Sequence, residues 1–584
     1  MFKEHPKGLF VLFFSNMGER FGYYTMMAIF VLFMEAKFGL SAEGMGLVWS
    51  AFLFSIYFLP LFGGILADKI GYGKTVVTGI VLMFTGYGLM AVPGQGKIFV
   101  FCALFIIALG TGFFKGNLVV ILGNLYESQG YKRLHDAAFN IYYMGINIGA
   151  FFAPFAATGL RDWIMGKNGF AYDARIPGLA NEFVSGKLVE SLKTLSARIS
   201  ELPKTGDFIN QISYTLQSSF VQKKEALLHL KETAGAKFAS LEQFSTQYNA
   251  SLSSGYNAGF AIAGISIVMS LLIFIGFKKY YKHADYLHKK RVETDASVVE
   301  LTPKQTRDRI FALLSVFAVV IFFWMAFHQN GLTLTWFAKN YTVGQVGTIT
   351  NIFFDLPAFL SLIGIIIGLV FLVMKRFKGT MKGAGAALIV VGALILYWRM
   401  NGFSDFNPIS PELFQAFNPI FVVFLTPIVI GFFAMLSRKD KEPSSPKKIG
   451  IGMMLLALGW VVMIFAGRAL GSPASLKSVG GVSPMLVSSY WLMSVYFAMT
   501  VSELFISPMG LAYVAKVSPP KYRGMMQGGW LAATAIGNSL SGLVAIPYAN
   551  LELWQTFGLL VLTSVIAGAI MFGMMKKLER AVES

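Results

Sequence analysis

Four ionisable residues stand inside otherwise apolar stretches long enough to cross a bilayer: Glu19 and Arg20 in the first stretch, Lys115 in the fourth and Glu503 near the C-terminus. A charge at the centre of a membrane costs ~2.5–3.5 kcal/mol even on insertion scales, so four would oppose insertion by ~10 kcal/mol unless they face water and one another. Two cations and two carboxylates around a wet hollow can clasp a small molecule that carries both signs, or pass an ion. They mark a substrate or ion path.

The elements that must hold them are membrane helices. Of 584 residues, 55% are hydrophobic and only 14% charged, with 55 Phe, which excludes a soluble globule. Hydropathy predicts fourteen spans, near 8–37, 45–67, 76–93, 98–126, 139–160, 256–277, 310–338, 352–374, 383–398, 416–437, 449–467, 486–515, 524–548 and 552–575. The fold class is therefore all-α and polytopic. The net charge of +19 would suit a nucleic-acid binder, but the basic residues are scattered over the alternate loops that the positive-inside rule assigns to the cytoplasm. That pattern excludes nucleic acid as a partner. It puts both termini on the cytoplasmic side of the cell (inner) membrane and the long loop 161–255 on the outer side. The single cysteine, Cys102, supports neither a disulfide framework nor a metal cluster. Lys3 and Lys7 precede a run of roughly 30 apolar residues without a small-residue cleavage site, the pattern of an uncleaved first span.

Within 161–255, Leu188, Leu192, Leu195, Ile199 and Leu202, then Ile209, Ile212 and Leu216, then Leu241, Phe244 and Tyr248 recur at helical spacing, with Pro203 to Asp207 as a turn. Two or three amphipathic helices are expected there, resting on the membrane domain or receiving a partner. The basic loop Lys375-Arg376-Phe377-Lys378 marks 351–400 as an added transmembrane hairpin. Without it, twelve spans divide six and six: 1–160 and 256–277 on one side of a cytoplasmic linker at 278–309, and 310–350 and 401–584 on the other. Two bundles rocking about a midplane site have this layout.

On the first span, Asn16, Glu19/Arg20, Tyr23 and Met27 fall on one stripe, expected to line the cavity. The run Glu19-Arg20-Phe21-Gly22-Tyr23-Tyr24 resembles the Glu-x-x-Glu-Arg-Phe-x-Tyr-Tyr signature of the proton-coupled oligopeptide transporter family of the major facilitator superfamily. Gly64 to Gly71, with Asp68 and Lys69, resembles the superfamily's Gly-x-x-x-Asp-Arg/Lys-x-Gly gate loop. Gly110 to Asn117 resembles the family's fourth-span lysine motif, with Gly116 where Pro is usual. Tyr142 to Gly149, Phe417-Asn418-Pro419, Ser502 to Leu511 and Trp530 to Asn538 extend the likeness through both halves in order.

The resemblance implies import of di- and tripeptides with protons by alternating access in a major facilitator fold. It implies a monomer with no organic cofactor, the proton being the coupling ion. A short peptide is a zwitterion, so its site needs a cationic and an anionic pole. Arg20, with its bidentate fork, is expected to take the carboxylate, Lys115 to support it, and Glu503 to hold the amino end. Tyr23, Tyr24, Tyr57, Asn147, Asn418, Ser507 and Trp530 complete the expected substrate site, although each aromatic alone is equally compatible with helix packing.

Three departures bear on coupling. The family's first signature Glu is Asn16, its usual later Arg is Met27, and its usual seventh-span acid is His328. The last two are thought to pair at the family's outer gate, and losing both strands neither. Coupling is then expected at Glu19, at His328, or at both, since an imidazole titrates near physiological pH. A transporter of nitrate or another small anion shares the fold, but has no use for Glu503. A membrane enzyme is disfavoured: there is no His-Glu-x-x-His, no Gly-x-Ser-x-Gly elbow and no pair of intramembrane aspartates. A non-transporting sensor working through the outer insert is a third reading.

Overall fold

The computed structural model describes residues 4–126, 131–186, 225, 227–228, 231, 240–285, 301–374, 377–478, 483–519 and 522–583. The leucine stripes from 188 to 216, the turn at 203–207 and Lys375-Arg376 lie outside them. Among the described residues fourteen helices are long and apolar enough to cross a membrane, and they are numbered here as spans 1 to 14 in chain order. The all-α polytopic expectation holds.

Several spans differ from their hydropathy limits for local reasons. Span 2 runs Ala42–Ile70 and is interrupted at Leu59, where Pro60 cannot donate to the preceding turn and opens a second helical piece, Pro60–Ile70. The stretch expected as a gate loop, Gly64 to Ile70, is helical, and the chain turns only at Gly71, whose φ of 100° favours glycine. Span 6 begins at Leu241 rather than near 256. The stripe Leu241, Phe244 and Tyr248 continues into the membrane run as one helix to Gly276, capped where the Ser240 hydroxyl accepts from the Gln243 amide at 3.1 Å. Span 7 is broken at its most polar point. Pro303–Phe327 ends in a 3-10 turn at His328–Gly331, and a second helix runs Thr333–Tyr341.

Spans 1–6 form one bundle, spans 7 and 10–14 the other. Glycines let helices touch backbone to backbone inside the first: a Cβ at Gly79 would stand 2.7 Å from the Gly110 oxygen, and one at Gly63 2.5 Å from that of Gly112. Spans 8 (Leu356–Val373) and 9 (Thr380–Asn401) form the added hairpin, packed through Gly368, Gly385 and Gly392 and tied by Arg399 Nε to Asp355 Oδ1 at 3.0 Å. With an even number of spans both termini lie on one face, the terminal side. The loop after span 5 lies on the other, the insert side.

The bundles are fastened on the insert side. The Trp49 indole donates to Ser541 Oγ at 3.0 Å, and a Cβ at Gly46 would lie 2.3 Å from the Gly542 oxygen. Ion pairs Glu35–Lys339 and Arg161–Glu412 cross between the bundles there. On the terminal side no hydrogen bond or ion pair among the described residues joins them. There, Asp285 of the linker instead accepts from the Gly73 amide at 2.8 Å, at the start of span 3. The conformation is closed toward the insert.

Candidate substrate site

Span 1 carries its charges as a self-contained pair. Arg20 Nη2 donates to Glu19 Oε1 at 2.7 Å and Nε to Oε2 at 2.5 Å, with Glu19 fully buried and Arg20 5% exposed. Neighbouring residues leave a helix in different directions, so only their long side chains can fold back into this bidentate contact. The Tyr23 ring faces the guanidinium, its centroid 4.9 Å from Cζ. Asn16 donates to the Tyr142 carbonyl at 3.5 Å, and Met27 is buried. The polar stripe expected on an open cavity wall is thus largely occupied within the bundle.

Lys115 is different. Its Nζ stands 4.1 Å over the Tyr57 ring, and no carboxylate among the described residues lies within ion-pair distance. Gly116 beside it leaves open space, since a Cβ there would meet nothing within 4 Å, whereas Gly112 packs against Leu59 of span 2. Tyr57 in turn faces His328 across the bundle boundary, ring centroids 6.4 Å apart, and His328 stacks on Trp324 at 5.5 Å. His328 Nε2 and Trp324 Nε1 are buried without a hydrogen-bond partner. Polar atoms buried without a partner carry a desolvation cost that a hydrogen-bonding group would relieve.

The anionic pole is built on spans 10 and 12. Asn418, in the first turn of the helix Phe417–Ser437, donates to Glu503 Oε2 and to Thr500 Oγ1, both at 3.0 Å. Among the described residues, the second Glu503 oxygen has no such contact. Ser507, one turn further along the same helix, has a buried hydroxyl with no partner. Tyr24 and Tyr57 lie within electrostatic reach of both Arg20 and Glu503, and Lys115 within reach of Arg20 and Glu19. The poles therefore stand on opposite bundles, with Tyr24 and Tyr57 feeling charges from both.

Other expected residues are engaged elsewhere. Asn147 donates to the Tyr143 carbonyl of its own helix at 3.2 Å. Trp530 is 4% exposed, its ring against Gly510 and 6.5 Å from Phe317, a helix-packing position inside the second bundle. Asp68 and Lys69 are exposed on the terminal side, where Asp68 accepts from the Tyr72 hydroxyl at 3.4 Å, and Gly64 has open space beside it. Sequence reasoning missed Glu35–Lys339 and Arg161–Glu412. Their only trace was a charge at the edge of an apolar run, indistinguishable there from an ordinary loop charge.

Two six-span bundles with charged residues buried among their helices have the architecture of the major facilitator fold. The POT family model matches residues 73–179 and 396–553. The chain is 26% identical over 557 residues to the peptide transporter YePEPT of Yersinia enterocolitica, spanning 93% of this chain and 88% of that one. It is 25% identical to dipeptide and tripeptide permease B of Xenorhabdus bovienii, spanning 99% and 96%. Among solved structures, peptide transporter POT in complex with sulfate superposes at a TM-score of 0.63 with 20% identity, covering 99% of this chain and 96% of that one. The chain is thus similar to POT-family proteins in sequence and in fold.

Proposed function

We propose that this protein imports di- and tripeptides by proton symport, with Lys115 and Glu503 as the two poles of the substrate site. The observation that carries this reading is that Lys115 has no carboxylate partner among the described residues while Asn418 holds Glu503 on the facing bundle. Arg20 already spends two donors on Glu19, so Lys115 is the open cation for a peptide carboxylate. Arg20 then supports it, the reverse of the roles expected from side-chain shape alone. Tyr24 and Tyr57 offer hydroxyls along the peptide, and Ser507 a further one beside the amino end.

His328 is the proton carrier in this reading. Its Nε2 is unpartnered, and it shares Tyr57 with Lys115, so an arriving carboxylate offsets the ammonium and favours imidazolium. Glu19 is the weaker candidate, because protonating it strands Arg20 in a buried place. The protein acts as a monomer in the cell membrane, termini in the cytoplasm and insert outside, with no organic cofactor. The observed conformation is then the inward-facing one.

Reconstituted protein under an imposed proton gradient, offered a panel of di- and tripeptides beside nitrate and free amino acids, tests the reading. Uphill accumulation of peptides carrying both free ends is expected. Accumulation of nitrate alone would replace the cargo by a small anion.

A further inference from the structure

We propose that the segment 168–186, which follows span 5, is a strap that travels with the first bundle and latches the insert side shut by covering both interbundle ion pairs. This rests on the alternating-access reading but adds a part to it that the fold does not require.

The strap has its base on the first bundle. The Asp173 amide donates to the Tyr248 hydroxyl at 2.8 Å and Asn249 Nδ2 to Asn181 Oδ1 at 2.8 Å, both on the extension of span 6. Asn181 also donates to the Ala36 carbonyl at 2.6 Å, at the end of span 1. From that base it reaches each pair. Tyr172 lays its ring 3.3 Å from the Arg161 Cζ and donates its hydroxyl to Glu412 Oε1 at 3.3 Å, crossing to the second bundle. Its helix Ile176–Val184 passes Glu35, where a Cβ at Gly178 would be 3.8 Å from Oε1.

Both pairs take one partner from each bundle. Arg161 gives Nη1 to Glu412 and Nη2 to Ser410 Oγ at 2.8 Å, and both Arg161 and Glu412 are fully buried. Lys339 of span 7 meets Glu35 of span 1. Rocking the bundles apart on this side must break both. A separated charge is expensive in a dry place and cheap in water, so whatever keeps the pairs dry sets the cost of opening. Tyr172 does that at Arg161–Glu412, where both side chains are fully buried, and the strap helix passes beside Glu35, whose side chain keeps 25% of its surface exposed. The latch is not of maximal strength, because Glu412 Oε2 and Glu35 Oε2 are buried with no partner, which disfavours the closed state and keeps opening within reach.

The test labels the two bundles on the insert side, with nitroxides at Gly94→Cys and Asp405→Cys in a Cys102→Ser background, and reads their distance distribution without substrate. The unchanged latch should give one predominant short distance. Tyr172→Ala and Glu412→Gln should each raise the population of a longer distance by about tenfold or more. An unchanged distribution in Tyr172→Ala overturns the proposal, as does a lowered melting temperature with unchanged distances. If Glu412→Gln does not fold, Tyr172→Ala, outside the bundles, decides alone. Failure of peptide uptake by the unlabelled protein would overturn the cargo and leave these distances to judge the latch.

Discussion

Lys115 of span 4 holds its ammonium 4.1 Å above the ring of Tyr57 in span 2, and that aromatic face, rather than a carboxylate, is its nearest electrostatic partner. A cation–π contact of this kind is worth ~0.5–2 kcal/mol, well short of a buried ion pair, so the lysine remains available to an incoming anion. Replacing Lys115 by Gln should raise the KM for dipeptides ~10–100-fold, the equivalent of the ~1.5–3 kcal/mol of a charged hydrogen bond. The loss should vanish when the peptide's C-terminus is amidated. Parallel uptake curves for a dipeptide and its amide check this.

Asn418 donates to Glu503 at 3.0 Å, so in the proposed site it would act on the substrate through that carboxylate. Removing the carboxylate and removing its holder should therefore differ in degree. Glu503→Gln is expected to abolish uptake of peptides with a free amino end, whereas Asn418→Ala should weaken them only ~5-fold, the size of one net hydrogen bond. A larger effect for Asn418→Ala would place the amide on the peptide itself.

Coupling separates His328 from Glu19. His328→Gln should retain peptide exchange across the membrane while the accumulation ratio under a proton gradient falls to about 1, since the ligand no longer biases a protonation-linked equilibrium. Glu19→Gln should instead impair binding and exchange together, because it leaves Arg20 buried without its two contacts. Counterflow and gradient-driven uptake, measured on the same vesicles, distinguish them. The pH dependence of uptake should be lost in His328→Gln and kept in any residual activity of Glu19→Gln.

The Gly46–Gly542 approach predicts a conformational effect without any charge. A Cβ at Gly46 would sit 2.3 Å from the Gly542 oxygen, a clash with backbone that no rotamer relieves. Because the contact joins the two bundles on the insert side, the penalty of ~1–3 kcal/mol falls on the closed state alone. Gly46→Ala should shift the bundles toward insert-side opening by ~5-fold or more and slow turnover, which the same pair of labels and the uptake rate report.

The chain's own order of residues was enough to establish the class, the fourteen spans and the places where charge enters the membrane. Each of these is a local property, since twenty apolar residues must span and a charge among them must be compensated. It also singled out Lys115 and Glu503 as candidate poles by the motifs around them. Span limits shifted where a local break or continuation outweighed hydropathy: Pro60 split span 2, and the stripe at Leu241 to Tyr248 ran on into span 6. What only the tertiary structure decided is which charge answers which. Glu19 turned to its neighbour Arg20 instead of facing a cavity, and Arg161 found Glu412 across 251 positions of chain. Partners of an ion pair are chosen by distance in space and by exclusion of water, and neither quantity has a period or a spacing to read along the sequence.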